Sequence, residues 1–334
     1  MLTILSTTFP FFALVLCGYL AVRRHLLPQL AIPGLNGLVL YFALPCLLFR
    51  FGSATPVAQL FDPGVAAVYV LSALVMVALA LALGRKGGLD WNNSAFGALL
   101  AAFPNTGFMG VPLLVALLGA RASGPVIVTI AIDLIVTTSL CVALSRFGQA
   151  AAGAGAPAQR SAVALRLALA GMLRNPMPWS IALGALASAA GLALPAPMAR
   201  TVGLLADAAS PVALFTIGAL LARSQMNTAD SVTGFAGQPP VVRAAASVTT
   251  IALAKLIVHP LVVGAVAYGM MAAGFALDAF ALTVLMLVAA LPSAGNVAML
   301  AERFGADSGR VARIILMSTV LSFFTFSAAV ALLT

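Results

Sequence analysis

Ten long apolar runs follow one another along the chain, with short polar stretches between them. The runs fall near positions 2–22, 33–51, 63–84, 92–118, 124–145, 177–195, 199–221, 246–274, 278–301 and 311–333. About 20 consecutive apolar residues are enough for a helix to cross the hydrocarbon core of a bilayer. The pattern therefore predicts an all-α membrane protein with ten transmembrane helices.

The composition supports a membrane environment, because 63% of the 334 residues are hydrophobic and only 7% are charged. Soluble domains contain about a quarter charged residues. The net charge of +9 at first suggests a nucleic-acid partner, but the basic residues lie at the ends of apolar runs rather than in one patch. The expected surroundings are therefore the lipid bilayer, and no nucleic acid is expected to bind.

The placement of Lys and Arg predicts the orientation of the chain, because inner loops carry an excess of these residues. With the N-terminus outside, the outer loops contain only Arg121 and Arg200. The inner loops then contain Arg23, Arg24, Arg85, Lys86, Arg146, Arg160, Arg166, Arg174, Arg223, Arg243, Arg303, Arg310 and Arg313. This bias predicts a multi-pass protein of the bacterial inner membrane with both termini outside.

A polar, low-complexity stretch divides the chain into two parts of five runs each. We assign residues 1–148 to a first five-helix repeat, 149–175 to a cytoplasmic linker and 176–334 to a second five-helix repeat. Because five is an odd number of crossings, a second repeat of the same fold must be inverted in the membrane relative to the first.

Two short sequence matches between the halves support this inversion. Run two contains Pro45-Cys-Leu-Leu-Phe-Arg-Phe-Gly, and run seven contains Pro211-Val-Ala-Leu-Phe-Thr-Ile-Gly, with Pro, Leu, Phe and Gly at the same spacing. Run four contains Pro104-Asn-Thr-Gly, and run nine contains Pro292-Ser-Ala-Gly-Asn. Interrupted segments at corresponding positions of two halves indicate the binding site of a transporter.

The proline and glycine residues in runs four and nine predict two broken helices. A helix that restarts after such a break begins with free amide groups and a positive dipole end, which can hold an anion. The alternative is a pair of proline kinks that bind nothing. The predicted substrate-binding residues are Pro104, Asn105, Thr106, Gly107, Pro292, Ser293, Gly295 and Asn296.

Four ionisable residues lie inside the apolar runs, where each charge costs about 3 kcal/mol or more. Asp207 and Lys255 could pair or bind a coupling ion, H⁺ or Na⁺, and Asp133 or Asp207 could carry a proton. The alternatives are structural: an ion pair, a Lys255 side chain that extends to the membrane surface, or a His259 that bonds a carbonyl group freed by the next residue, Pro260.

Three further residues are predicted to support the site, namely Asn36, Pro45 and Pro211. Asn36 is a buried polar residue whose simplest role is a hydrogen bond between helices. The sequence contains no metalloprotease, serine-hydrolase or P-loop motif. The three cysteines are isolated in apolar runs, without the spacing of a metal site or a disulfide. We expect no enzyme activity, no metal, and no cofactor other than a coupling ion.

These motifs resemble the auxin efflux carrier family, which includes plant PIN exporters and bacterial malonate carriers. The resemblance covers nearly the whole chain. Its most specific part is the stretch from Phe103 to Pro112, and it extends to Asn36 with residues 42–49, to Lys255-x-x-x-His259-Pro260, and to residues 291–305. Asn105 matches the position that contacts the auxin carboxylate in PIN proteins.

The resemblance implies ten helices in two inverted repeats, with broken helices four and nine crossing each other, as in bile-acid symporters and sodium/proton antiporters. It implies transport of small organic anions such as malonate or auxin-like acids. In the elevator-like motion that this suggests, spans three to five and eight to ten move against a scaffold of spans one, two, six and seven. The scaffold could also form a homodimer. The alternative is a membrane-embedded receptor that binds a small anion without moving it.

Overall fold

The computed structural model describes residues 2–55, 62–151, 176–231 and 248–334. Its regular secondary structure is helical, and within these residues only one isolated pair of residues is bridged in the manner of a β-sheet. The helices are α1 (Leu2–Arg23), α2 (Gln29–Ala54), α3 (Pro63–Lys86), α4a (Trp91–Ala102), α4b (Thr106–Leu118), α5 (Ala120–Arg146, continuing to 151), α6 (Pro176–Ala189), α7 (Ala196–Ser231), α8 (Val248–Ala272), α9a (Ala279–Ala290), α9b (Val297–Phe304) and α10 (Ser308–Leu333).

Six of these helices are long and apolar enough to cross a membrane by themselves: α2, α3, α5, α7, α8 and α10. Shorter apolar helices are found at Phe12–Arg23, in α4b and in α9a. The molecule is therefore a multi-pass membrane protein. Helix occurs in each of the ten predicted runs within the described residues, while the number of crossings stays a prediction. Most of the predicted linker lies outside the described residues.

The helix in run six is shorter than the apolar run, because α6 ends at Ala189 whereas the run extends to 195. Gly191 has φ of 60°, in the left-handed region that glycine adopts without strain. Its amide group donates to the carbonyl oxygen of Ser188, and the amide group of Leu192 donates to that of Ala187. Such a turn closes a helix by satisfying its last carbonyl groups.

Aspartate side chains begin several of the helices. Asp62, Asp90, Asp278 and Asp307 are the N-cap residues of α3, α4a, α9a and α10, and each side chain accepts a hydrogen bond from a backbone amide of the first turn. An N-cap carboxylate satisfies an amide that has no partner in the helix and interacts favourably with the helix dipole. Half of the eight acidic residues are thus used to define helix ends.

Glycine allows two pairs of helices to pack with unusually close backbones. In α1 and α7, a β-carbon on Gly18 would overlap the carbonyl oxygen of Phe215, and one on Gly218 would overlap that of Val15. In α2 and α6, a β-carbon on Gly184 would lie 2.6 Å from the carbonyl oxygen of Phe49. Small residues at such contacts are typical of membrane helices, whose association depends on close van der Waals packing.

Candidate functional site

The first helix break separates α4a from α4b. Phe103, which precedes Pro104, is extended (φ −97°, ψ 102°), and Asn105 is outside the helical region (φ −75°, ψ 54°). A proline removes an amide donor and disfavours helical geometry in the residue before it. The chain then re-enters a helix through a π-helical turn over Thr106–Gly110. Turns of this type are frequent at functional sites.

The second break separates α9a from α9b. Leu291, directly before Pro292, is extended (φ −64°, ψ 154°), and helix resumes only at Val297. The cause is the same as in the first break, because proline again follows an apolar helix end. Residues 291–295 are buried, and Asn296, the last residue before α9b, is partly buried.

The two breaks meet at an isolated antiparallel β-bridge between Pro104 and Ser293. The amide group of Asn105 donates to the carbonyl oxygen of Pro292 at 2.7 Å, and that of Ala294 donates to the carbonyl oxygen of Phe103 at 3.0 Å. Unwound backbone at this depth needs partners within the protein, since lipid supplies none. Each break therefore satisfies the other, and we call this paired region the crossing.

Ser293 holds the crossing in place with both its side chain and its backbone. Its hydroxyl donates to the carbonyl oxygen of Leu100 at 2.8 Å, near the end of α4a. Its amide group donates to the hydroxyl of Ser318 in α10 at 3.2 Å. The predicted site residues Pro292 and Ser293 thus lie in the pairing itself and not in the wall of either cavity beside it.

A cavity adjoins the crossing and encloses about 340 Å³ of empty space, its open mouth included. Five predicted site residues line it: Pro104, Asn105, Thr106, Gly107 and Asn296. The rest of the wall is apolar. It consists of Leu44, Leu48, Phe103, Phe108, Ile130, Leu134, Met177 and Ala294. We call this space the first cavity.

A second cavity lies against the crossing between α2 and α7, and it encloses about 300 Å³ of empty space with its open mouth included. Asn36, Gly295 and Asn296 supply its polar groups. Asn296 lines both cavities, and its side-chain oxygen Oδ1 is buried without a hydrogen-bond partner among the described residues. A buried acceptor without a hydrogen bond lowers the stability of the fold. This oxygen can therefore accept a hydrogen bond from the donor group of a ligand that enters either cavity.

The start of α4b supplies the electrostatic character of the first cavity. The carbonyl oxygen of Asn105 accepts hydrogen bonds from the amides of Met109 and Gly110, which places Asn105 at the head of the helix. The first amides of a helix have no intrahelical partner, and the dipole makes that end positive. Among the described residues, no Lys, Arg or His lines either cavity. The helix end is therefore the source of positive potential at the cavity wall.

A second polar cluster lies behind the crossing, among α3, α5 and α8. The carboxylate of Asp133 accepts hydrogen bonds from the Tyr69 hydroxyl at 2.7 Å and the Thr137 hydroxyl at 3.0 Å. All three side chains are fully or almost fully buried. Asp133 begins a π-helical turn, which gives this part of α5 an extra residue.

Lys255 is the cationic member of this cluster and is completely buried. Its ammonium group donates to the carbonyl oxygen of Ala289 at 2.6 Å and lies 3.0 Å from Nδ1 of His259. Asp133 attracts Lys255 across the cluster, but the two side chains make no direct ion pair among the described residues. Ala289 lies near the end of α9a, so Lys255 places a positive charge at the negative end of that half-helix.

These contacts correct three sequence-based hypotheses. Asp207 does not pair with Lys255, because it lies 2.6 Å from Arg50 on the outer surface of α2 and α7. Lys255 does not extend to the membrane surface, because its whole side chain is buried. His259 faces Lys255 through Nδ1, and its Nε2 has no hydrogen-bond partner among the described residues, so neither nitrogen bonds a freed carbonyl group.

The two supporting prolines have different surroundings. Pro45 follows the π-helical turn Val39–Ala43 and lies at the start of the last α-helical part of α2, Leu44–Ala54. Pro211 lies within α7, where the preceding Ser210 donates its hydroxyl to the carbonyl oxygen of Phe108 at 2.8 Å. That bond joins α7 to the first turn of α4b.

The sequence does not single out Ser210, Ser318 or Tyr69, although Ser210 contacts the first turn of α4b, Ser318 contacts the crossing and Tyr69 contacts the buried cluster. Single hydroxyl groups are frequent in membrane helices, where they commonly bond the preceding turn. No local feature distinguishes these three from the others.

Similarity to known proteins identifies the family of this chain. A family model described as membrane transport protein matches residues 3–330, nearly the entire chain. The chain belongs to this membrane transport protein family. The family is one of transporters and not of enzymes, and its members are expected to lie in a lipid bilayer.

Two relatives of this transport protein cover almost its full length. A protein of Rhizobium meliloti (strain 1021) named "Putative malonate transporter" is 30% identical over 327 residues, which are 96% of this chain and 93% of the relative. An "Uncharacterized transporter" of Methanothermobacter thermautotrophicus is 25% identical over 324 residues, covering 95% of this chain and 94% of the relative.

A third relative is a plant protein. "Auxin efflux carrier component 4" of Arabidopsis thaliana is 29% identical over 149 residues, which are 43% of this chain and 24% of the plant protein. Together with the family model, these matches confirm the resemblance to the auxin efflux carrier family that the motifs suggested.

Proposed function

We propose that this protein is a secondary carrier that moves small organic anions, such as malonate or auxin-like carboxylic acids, across the bacterial inner membrane. The observation that carries the proposal is the first cavity, which lies directly against the crossing and receives the positive end of α4b. A carboxylate placed there accepts hydrogen bonds from Asn105, Thr106 and the first free amides of the helix. Asn296 and Gly295 line the second cavity, so a ligand in that cavity would also lie beside the crossing.

The proposed architecture has ten crossings in two inverted repeats, of residues 1–148 and 176–334, with the broken spans α4 and α9 at its centre. The glycine contacts support it, because α1 packs on α7 and α6 packs on α2 with the same close approach. Inversion relates these two helix pairs to each other. The orientation with both termini outside follows from the positions of Lys and Arg.

In the proposed transport cycle, α3 to α5 and α8 to α10 move as one body against a scaffold of α1, α2, α6 and α7. The first cavity supports this division, because Leu44, Leu48 and Met177 of the scaffold face Asn105 and Phe108 of the moving part. Movement of the moving part past this wall would carry a bound anion from one side to the other. The scaffold is also the part that remains available for a homodimer.

The lining of the first cavity bears on the choice between malonate and auxin-like acids. Asn105, Thr106 and Asn296 supply the polar side chains of the lining, and the other lining residues are apolar. A second carboxylate would therefore be placed against leucine, phenylalanine and methionine, where a charge is costly. We expect a monocarboxylate with a small apolar body to raise the melting temperature of the purified protein more than malonate does. At equal concentration, the ligand with the higher affinity for the folded state stabilises it more.

The cluster of Asp133, Lys255 and His259 is our candidate for ion coupling. Asp133 would carry the coupling proton or contact a sodium ion, and Lys255 would hold the end of α9a beside it. Asp207 has no part in this role, since Arg50 and not the cluster contacts it. Repeating the ligand screen with and without sodium, and at two pH values, would distinguish the two ions from uncoupled transport.

Replacement of Asn105 tests the proposed site. We expect Asn105→Ala in proteoliposomes to abolish counterflow of a labelled carboxylate that stabilises the wild-type protein, because the polar side chain at the head of α4b is lost. The melting temperature without ligand should change by only a few degrees, since no described residue depends on that side chain for a hydrogen bond. Unchanged counterflow in the variant would refute the site.

The same assay separates a carrier from a receptor. A receptor would bind the carboxylate in the thermal-shift measurement and yet give no exchange of label across the membrane. A carrier gives both.

A further inference from the structure

The two cavities beside the crossing lie one after the other along α2. The second cavity is lined by Asn36, Val39 and Leu40 of this helix, and the first by Leu44 and Leu48. From the middle of one stretch, position 38, to the middle of the other, position 46, a helix advances by about 12 Å, at about 1.5 Å per residue. Because α2 is long and apolar enough to cross a membrane, the two cavities lie toward opposite sides of that membrane.

Phe108 is the large side chain that the two cavities share. It lines both of them, as Asn296 does, and only 7% of the residue is exposed. Asn296 is a small polar residue that an anion can approach, whereas the Phe108 ring offers an anion no hydrogen-bond donor. A charge placed against an apolar group without a polar partner is costly. An anion that left one cavity for the other would therefore have to displace this ring.

The crossing also contacts both scaffold helices directly. A β-carbon on Gly107 would lie 3.6 Å from Cδ1 of Leu44 in α2, and one on Gly295 would lie 2.9 Å from Cγ1 of Ile217 in α7. Because these two positions have no side chain, the crossing packs closely against the scaffold. The space between the cavities is thus narrow, and Phe108 is the bulky side chain beside it.

A proline and a serine together fix the backbone of Phe108. In an α-helix, the carbonyl oxygen of Phe108 would accept a hydrogen bond from the amide of residue 112, but Pro112 has no N–H. The hydroxyl of Ser210 in α7 donates to this oxygen instead, at 2.8 Å. The position of the ring is therefore tied to α7, which belongs to the proposed scaffold.

We propose that Phe108 is the gate between the two cavities and that Ser210 holds this gate closed. The inference rests on the proposed carrier function, in which the crossing is reached from the two sides of the membrane in turn. A carrier that opened to both sides at once would let anions flow down their gradient without exchange. The ring of Phe108 prevents this flow, and its bond to Ser210 must break whenever α4b moves past α7.

Chloride efflux from liposomes tests the gate without knowledge of the transported anion. Proteoliposomes loaded with potassium chloride and treated with valinomycin lose chloride faster than protein-free liposomes only if the protein offers a continuous path. The wild-type protein should retain chloride, whereas Phe108→Ala should release it, because the two cavities then join. The matched control is Phe103→Ala, which should retain chloride, since Phe103 lines the first cavity but not the second.

A cysteine at position 108 provides a chemical rescue. In a chain whose native residues Cys17, Cys46 and Cys141 are replaced by alanine, Phe108→Cys should leak chloride as Phe108→Ala does. Benzyl methanethiosulfonate attaches an aromatic ring to this cysteine through a disulfide, with release of methanesulfinate, and the leak should then stop. Such a rescue requires a folded protein, so it also excludes a leak caused by misfolding.

Two variants of Ser210 test the hydrogen bond that fixes the gate. Ser210→Ala removes the donor and should leak chloride, though more slowly than Phe108→Ala, because the ring is still present. Ser210→Thr keeps a hydroxyl group and should retain chloride as the wild-type protein does.

Four results would each overturn the proposal. They are retention of chloride by monodisperse Phe108→Ala, an equally fast leak in Phe103→Ala, an unchanged leak after benzyl modification of Phe108→Cys, and equal behaviour of the two Ser210 variants. Failure of the carrier function would give a different result. The wild-type protein would then show no counterflow of a labelled carboxylate, while the leak of Phe108→Ala and the rescue by the benzyl group would persist.

Discussion

The buried Lys255 offers the most informative single perturbation of this molecule. Replacing it with methionine keeps the length of the side chain and removes the charge, so packing around α8 changes little. The carbonyl oxygen of Ala289 then loses its donor at 2.6 Å. A hydrogen bond from a charged group contributes about 1.5–3 kcal/mol. The carboxylate of Asp133 also loses the attraction of this cation, which it does not contact directly, so this second loss is smaller than the roughly 3–5 kcal/mol that breaking a buried ion pair in direct contact costs.

A double-mutant cycle separates these two contributions. Asp133→Asn alone leaves the buried charge of Lys255 without a nearby carboxylate. We therefore expect this variant, like Lys255→Met, to have a lower free energy of unfolding than the wild-type protein. The double variant Asp133→Asn/Lys255→Met contains neither charge and should lose less than the sum of the single changes by about 0.5–3 kcal/mol. The quantity to measure is the free energy of unfolding of each variant in mixed micelles, by denaturant titration followed with circular dichroism.

The matched control is the same cycle with Asp207→Asn in place of Asp133→Asn. Asp207 is paired with Arg50 and shares no partner with Lys255, so its effect and that of Lys255→Met should add. Additive effects in the Asp133 cycle, or a coupling energy in the Asp207 cycle, would refute the description of the buried cluster given above.

Two further perturbations concern the scaffold and the crossing. Gly18→Ala should prevent correct packing of α1 on α7, because the new methyl group overlaps the carbonyl oxygen of Phe215, whereas Gly34→Ala has open space around it and should be neutral; the yield of monodisperse protein in size-exclusion chromatography measures both. Ser293→Ala should lower the free energy of unfolding by about 1–3 kcal/mol, because the buried carbonyl oxygen of Leu100 is left unbonded. Since Ser293 does not line either cavity, ligand affinity should change far less than stability, and a thermal-shift titration that found the reverse would restore Ser293 to the binding site.

The local breaks were predictable from the sequence because their cause is local. Pro104 and Pro292 each remove an amide donor and force the preceding residue out of the helical region, whatever surrounds them. The positions where α4 and α9 unwind therefore agree with the prediction. The same holds for the membrane-spanning character of the chain, which depends on the length and apolarity of the runs.

The partners of the ionisable residues were not predictable in this way. Asp207 is acidic and Lys255 is basic, and both lie in apolar runs. The sequence offered no reason to expect that they contact different partners. The structure places Asp207 against Arg50 and Lys255 against a carbonyl oxygen 34 residues away. Which face of a membrane helix meets a neighbour is hard to infer when all its faces are apolar, because the usual contrast between a buried and a solvated side is missing.

The sequence by itself determined that this chain has helices apolar enough to span a membrane, where two of its helices must break, and which polar groups accompany the breaks. These features follow from backbone chemistry and from the transfer of apolar side chains into lipid, and both act over a few residues. Only the tertiary structure decided that Pro104 and Ser293 face each other in a paired crossing, that Ser293 supports it while Asn105 and Asn296 line the cavities, and that Lys255 is buried at the end of α9a. Those outcomes depend on how the helices rotate and pack against one another, which joins residues nearly two hundred positions apart.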